Sequence, residues 1–241
     1  MASNVSSSGG FWSEDRSLSV FLATVVFVFF ILTPLAHHRP ALLFLLETLF
    51  ALLLISGVSA VFRSGPWGLV AKLLSLSAWS VRQAEHFLPS LRLREVELAL
   101  TCACMSLFVG VLLVRIFSGG ESNNFRLQGA AAAYIMMAIA WGHLYALLEM
   151  LHPGCFHGPP GFLEADRLVP TLTFFSSITL TTVGYGDITP VHPFARSMVC
   201  LEAFCGVLYP AILVGRLVSL SLRPEPVPAE IFQGPPLESD S

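Results

Sequence analysis

Apolar runs of about twenty residues recur along this chain, the length a helix needs to cross a bilayer at ~1.5 Å per residue. Residues 17–36, 41–62, 96–117, 130–151 and 194–222 form such runs. Residues 67–88 form a weaker one, because it carries Lys72, Arg82, Glu85 and His86. The 241-residue chain is 54% hydrophobic and 12% charged, whereas a soluble domain carries about 25% charge. Lipid is therefore the solvent for much of it, and the expected fold class is an all-α, multi-pass membrane protein. The net charge of −3 argues against nucleic acid as a partner. The first apolar run follows a stretch with one arginine and two acids, and it exceeds a cleaved signal core, so it reads as a retained helix.

One further apolar segment, 171–180, is too short to span. It leads into TTVGYGD at 181–187. Inside a membrane, non-helical backbone is tolerated only where protein buries it or where it lines a water-filled cavity. A half-length helix that enters, turns through glycines and returns therefore implies a pore or a binding cavity. A cation leaving water needs oxygens to replace its hydration shell. Backbone carbonyls supply them if successive ones face one axis, which requires φ to alternate in sign, and glycine reaches positive φ without steric cost. Gly184 and Gly186 have the spacing for this, and Thr182 offers a hydroxyl. The short helix before them would aim the negative end of its dipole at a cation.

Six spanning helices place Arg16, Arg63, Arg115, Arg126, Arg216 and Arg223 on the cytoplasmic side, with both termini inside. If 67–94 lies on the membrane surface instead, five spans remain and Arg16, Arg63, Lys72, Arg82, Arg92 and Arg94 all fall outside, against the positive-inside tendency. Six is the favoured count.

The segment FFSSITLTTVGYGDITP (174–190) resembles the pore signature of the potassium channel superfamily. The following RSMVCLEAFCGVLYPAILVGRLVSL (196–220) is similar to the inner helix of bacterial two-helix pore domains, through Leu201-Glu202-Ala203, Gly206, Tyr209 and Arg216-Leu217-Val218. The resemblance covers roughly residues 130–222. It implies K+ ligands from the carbonyls of Thr182, Val183, Gly184 and Tyr185, with Gly186 completing the stretch and the Thr182 hydroxyl added. It also implies filter support from Thr181, Asp187 and Glu202, with Tyr185 bracing from behind, and a homotetramer around one axis. No cofactor is expected beyond the permeant K+. Many relatives carry pore-helix tryptophans that bond toward the aspartate after the filter. Phe174 and Phe175 stand there in this chain, and Ile178 stands where others have glutamate, so Asp187 lacks both familiar partners.

The expected organisation is a disordered tail (1–16), a four-helix peripheral membrane domain (17–117), a linker (118–129) and a pore domain (130–222). Within the pore domain come an outer helix (130–151), a turret (152–170), a pore helix (171–180), a filter (181–187) and an inner helix (194–222), before a disordered cytoplasmic tail (223–241). Voltage sensing needs arginines at every third position of one helix, and 96–114 holds none. Arg92 and Arg94, beside Glu95 and Glu97, read as an interfacial cluster. Glu47 and Arg82 are expected at one depth on neighbouring helices, as an ion pair or as separate snorkelling charges. Gly206, Pro210 and Gly215 are hinge candidates; close packing through small residues is the other reading of Gly206. His152, Cys155 and His157 read as a plain turret rather than metal ligands, and His143 as a packed or hydrogen-bonded residue.

The resulting expectation is a potassium-selective channel subunit, with no enzyme activity, in a bacterial inner (cell) membrane. Lipid and three further copies of the chain are its partners, and the sequence identifies no regulatory partner. The alternatives are a non-conducting sensor with a pore-like fold and a potassium transporter component.

Overall fold

A computed structural model describes residues 11–36, 48–49, 51–52, 66–88, 90–117, 123–164 and 167–221. In chain order these are α1 (Phe11–Phe27), a π-helical turn (Val28–Leu32), α2 (Thr33–Ala36), α3 (Pro66–Phe87), α4 (Leu91–Phe117), α5 (Asn123–Leu151), β1 (Phe156–His157), α6 (Leu168–Leu180), β2 (Thr189–Pro190) and α7 (Pro193–Ser221). Among the described residues three helices are long and apolar enough to cross a membrane, over Leu91–Val114, Arg126–Leu151 and Pro193–Arg216. Of the run at 41–62, Thr48, Leu49, Ala51 and Leu52 are described and helical. Glu47 and the tail at 223–241 lie outside the described residues.

Several helices begin before their apolar runs do. Helix α1 starts at Phe11, within the stretch 1–16 expected to be disordered, and α5 starts at Asn123, within the expected linker 118–129. Apolarity marks where lipid begins, whereas the helical backbone continues past it into polar residues. Helix α6 starts at Leu168, ahead of the expected 171, with Pro170 in its first turn. A proline is tolerated there because the first N–H groups of a helix have no intrahelical partner.

Helices α3 and α4 form an antiparallel hairpin. Arg82 pairs with Glu97 at 3.3 Å, Arg94 with Glu85 at 4.0 Å, and Ser75 Oγ lies 3.0 Å from Cys104 Sγ. Each pair of residue numbers sums to 179, which is the signature of one antiparallel register. Arg82 thus pairs with Glu97 on the next helix, and Thr101 Oγ1 donates to the same carboxylate at 3.1 Å. Helix α4 in turn runs antiparallel to α5. Ile116 packs beside Gly129 at one end, and Leu98 shares a buried cluster with Tyr145 at the other.

Helix α1 packs on this pair, burying Phe21, Val25, Val28 and Leu32 with Met105, Phe108 and Met136. Ser19 Oγ, in about the first third of the continuous helical stretch 11–36, donates to Gln128 Oε1, early in α5, at 2.8 Å. The two helices therefore start at the same end of the bundle.

A second buried cluster joins Tyr145, Leu148, Phe156, Leu172, Phe175 and Ile188. It fixes α6 between α5 and the segment that follows the glycine loop. Two glycines set the approach of the helices. A Cβ on Gly142 of α5 would stand 2.5 Å from Thr173 Cα of α6, and a Cβ on Gly206 of α7 would run into the Leu180 carbonyl group. The packing reading of Gly206 thus has a specific neighbour. Gly215 has open space where its Cβ would be, and Pro210 lies inside continuous α7.

Gly142→Ala and Gly206→Ala should each lower stability by about 1–3 kcal/mol through overpacking. Thermal unfolding of the detergent-solubilised protein checks this, with Gly110→Ala as control because a Cβ at Gly110 meets nothing within 4 Å.

Candidate functional site

The loop 181–187 begins where α6 ends, and the way that helix ends sets the loop's geometry. The N–H of Val183 donates to the Ile178 carbonyl at 2.8 Å, and the N–H of Thr182 donates to the Thr179 carbonyl at 2.9 Å. These 6→1 and 5→2 bonds are the Schellman termination, which places the residue after the C-cap in the left-handed region. That residue is Thr182, with φ +63°, the one non-glycine among the described residues at positive φ. Glycine usually occupies the position. A β-branched residue there is a true outlier, and the left-handed region costs such a residue about 1–2 kcal/mol.

Beyond Thr182 the sign of φ alternates. Gly184 has φ +51° and Gly186 φ +77°, while Val183 and Tyr185 stay negative. Positive values at every second residue are the pattern that turns successive carbonyls toward one side. All of Thr181–Asp187 is exposed, whereas Leu180 before it and Ile188 after it are buried. The exposed loop is thus anchored at both ends.

The last carbonyls of α6 are all occupied. Ser177 O accepts from the Thr181 N–H at 3.1 Å and from Thr181 Oγ1 at 2.7 Å. Ile178 O also accepts from Gly184 N at 3.0 Å. Leu180 O accepts from Tyr134 Oη of α5 at 2.8 Å. The carbonyls of the loop itself, rather than those of the helix end, are therefore the oxygens left to face a ligand.

Behind the loop, Glu202 of α7 is fully buried at 0% exposure. Tyr145 Oη donates to its Oε2 at 2.7 Å, and Ser176 Oγ of α6 contacts its Oε1. The rings of Tyr145, Phe156 and Phe175 form a triangle with centroids 5.3–5.7 Å apart. Phe174 points the other way and stacks on Tyr185 at 6.2 Å. The two adjacent phenylalanines thus do separate jobs, one in the core and one beneath the loop's tyrosine. Asp187 is exposed and makes no side-chain hydrogen bond or ion pair among the described residues. After it, Val191 N donates to Cys155 O at 2.8 Å, and β1 pairs antiparallel with β2. Glu149 accepts from the N–H groups of Gly154 at 2.6 Å and Phe156 at 3.1 Å, which fixes the turn after α5.

Residues 133–222 match the family described as ion channel. The chain is 32% identical over 87 residues to Protein LctB of Bacillus caldotenax, covering 35% of this chain and 64% of that one. Over 51 residues the identity is 41% to the inward rectifier potassium channel Kirbac3.1 of Paramagnetospirillum magnetotacticum, 21% of this chain and 17% of the other. Over 93 residues it is 33% to two pore potassium channel b of Oryza sativa subsp. japonica, 38% and 23% of the two chains. Residues 133–222 therefore carry a segment of the ion channel family, and the chain is similar to potassium channels over part of its length. The chain spans less than two thirds of the length of each of these relatives. No solved structure matches.

Within the matched residues 133–222, the structure brings Thr181, Thr182, Val183, Gly184, Tyr185, Gly186 and Asp187 into one exposed loop, and it places Glu202 and Gly206 against the helix that carries the loop. Pro210 and Gly215 lie further along α7, outside that contact. Sequence reading missed Tyr134, Tyr145 and Ser176, and it noted Tyr209 without giving it a role. Tyr209 Oη donates to Ala130 O at 2.9 Å, and its ring stacks on Tyr134 at 5.7 Å. The available signal was a polar atom at a core-facing position in an apolar helix, which needs a partner when buried. Cys155 is buried whereas His152 and His157 are exposed. Burial and the nearby Glu149 carboxylate push the Cys155 thiol above its usual value. Among the described residues no three His, Cys, Asp or Glu side chains converge as metal ligands.

Thr182→Gly should raise thermal stability by about 1 kcal/mol, because glycine removes the left-handed penalty at the helix end. Chemical denaturation of the purified protein measures it. Loss of stability would show that the Thr182 side chain holds the turn.

Proposed function

We propose that this chain is a subunit of a potassium-selective channel that conducts K+ passively, as a homotetramer in which four copies of loop 181–187 surround one axis. The observation that carries the proposal is the alternation of φ at Thr182, Gly184 and Gly186 on an exposed loop held at both ends. The carbonyls of Thr182, Val183, Gly184, Tyr185 and Gly186, with the Thr182 hydroxyl, replace the hydration shell of K+. The threonine is kept despite its backbone penalty because glycine has no hydroxyl to offer. Similarity of part of the chain to potassium channels supports the choice of ion. The family points to a channel rather than an enzyme.

The exposed face of α7, with Leu201, Phe204, Leu208 and Ile212, fits contacts with further copies and with the ion path. The Ser19–Gln128 bond supports six spans, because α1 and α5 starting at one end requires an odd number of crossings between them. In our reading α3 and α4 supply two of those crossings, so that α3 lies in the membrane alongside α4 and the termini lie on the cytoplasmic side of a cell membrane. The arginines of α4 are Arg92 and Arg94 near its start and Arg115 near its end, with Arg94 paired to Glu85. No arginine ladder crosses the field.

Purified protein in liposomes should pass K+, exclude Na+ and be blocked by Ba2+, whereas Gly184→Ala should abolish the flux. Flux absent from the folded wild-type protein would favour a non-conducting sensor. In the same liposomes, conductance should change less than about twofold between about −100 and +100 mV. With Asp187 unpartnered, current should decay over seconds of sustained opening; a steady current would show that neighbouring copies hold Asp187.

A further inference from the structure

The hydrogen bonds around Glu202 do not balance if its carboxyl group only accepts. Ser176 Oγ has two oxygen neighbours, Ala138 O at 2.8 Å and Glu202 Oε1. A serine hydroxyl carries one hydrogen. Two oxygens at hydrogen-bond distance need a hydrogen between them, unless one hydrogen is split between two acceptors at the expense of both contacts, and a carbonyl has none to give. If the serine hydrogen goes to Glu202, the Ser176 and Ala138 oxygens face each other with nothing between. If it goes to Ala138, the Ser176 and Glu202 oxygens do so, unless Glu202 supplies a hydrogen of its own. On the far side the Tyr145 hydroxyl donates to Oε2 and can serve no second acceptor.

We infer that Glu202 is a neutral carboxylic acid that donates from Oε1 to Ser176, so that one directed chain of hydrogen bonds runs from Tyr145 through Glu202 and Ser176 to the Ala138 carbonyl. Every hydrogen in that chain has an acceptor, and every close oxygen pair has a hydrogen. The site is otherwise consistent with a neutral group. Glu202 is fully buried, and among the described residues no lysine, arginine or histidine forms an ion pair with it. An isolated carboxylate in such a place is strongly disfavoured.

The chain links three helices. Tyr145 and Ala138 lie on α5, Ser176 on α6 and Glu202 on α7. Ser176 is two residues before Ile178, whose carbonyl holds the N–H groups of Val183 and Gly184. Glu202 is therefore a positioning residue for the loop. It holds the helix that the loop hangs from, and it adds no fixed charge behind the carbonyls. This consequence rests on the channel reading, whereas the proton assignment rests on the hydrogen bonds alone.

The test uses the full chain in lipid nanodiscs and liposomes. Infrared difference spectra between the wild type and Glu202→Gln should show a protonated-carboxyl carbonyl band present in the wild type and lost in the variant. That band should shift in Ser176→Ala. Loss of carboxylate bands instead would overturn the assignment. A glutamine amide donates and accepts as the neutral acid does, so Glu202→Gln should keep K+ flux and the K+/Na+ ratio within about twofold of wild type. Glu202→Ala leaves both hydroxyls without their partner and should lower the folded fraction in denaturant at least about tenfold. Glu202→Gln behaving like Glu202→Ala would also overturn the proposal. Absence of flux from the wild type, with the carboxyl band intact, would refute the channel reading and leave the proton assignment standing.

Discussion

Everything at the candidate site depends on how α6 stops. A helix end leaves its last carbonyls without partners, and here each is taken. Backbone N–H groups of Thr181, Thr182, Val183 and Gly184 fold back onto Ser177, Ile178 and Thr179, and Tyr134 reaches across to Leu180. The reversal makes the loop's own N–H groups point at the helix, which leaves its carbonyls directed elsewhere. The sharpness of the turn and the orientation of the oxygens are one feature. It needs a residue in the left-handed region at 182, and the chain puts threonine there. A strained residue persists only where its surroundings over-determine it. The surroundings here are two Schellman bonds on one side and the paired strands with buried Ile188 on the other.

Holding α6 is the second requirement, and it is met by contacts of two kinds. Gly142 and Gly206 let α5 and α7 approach the backbone of α6 directly, at Thr173 and Leu180. The Tyr145–Phe156–Phe175 triangle and the Glu202 hydrogen bonds fill the space between. Close approach fixes distance, and hydrogen bonds fix rotation about the helix axis. Rotation of α6 would carry Phe174 off Tyr185 and Phe175 out of the triangle, so the two adjacent rings act together as a rotational key.

Much of this was legible in the sequence. The loop could be read from Thr182, Gly184 and Gly186, because alternating φ is a local demand that glycine spacing satisfies. Helices long enough to meet lipid were visible as apolar runs. The starts of α1 and α5 were not, because there the helix begins ahead of its apolar run, and the start of α6 was hidden by Pro170, which a first helical turn tolerates. Long-range partners were hidden for a different reason. The Tyr145–Glu202 contact joins residues 57 positions apart and Tyr134–Leu180 joins residues 46 apart, and only the packed helices decide which polar group meets which. Arg82 shows the same limit. Depth alone suggested Glu47, which lies outside the described residues, and did not reveal Glu97, which the register of the α3–α4 hairpin brings to Arg82.

That hairpin also bears on how the earlier helices relate to α5, α6 and α7. Helix α4 touches α5 along its length, and α5 carries Tyr134, Gly142 and Tyr145, all of which bear on α6 or on Glu202. Any tilt of α4 against α5 would be felt at the carbonyl of Leu180 and at the Glu202 hydrogen bonds before it reached the loop. The ion pairs of Arg82 and Arg94 hold α4 to α3 and not to α5, so the charges stiffen the peripheral pair internally. The contact with α5 is apolar, through residues such as Phe108, Leu112 and Met136. Apolar packing is non-directional and tolerates sliding better than paired charges do. On the channel reading, a stimulus acting on the peripheral helices would therefore reach the loop as a rigid shift of α3 and α4 together against α5, and not as a rearrangement of charges across the membrane.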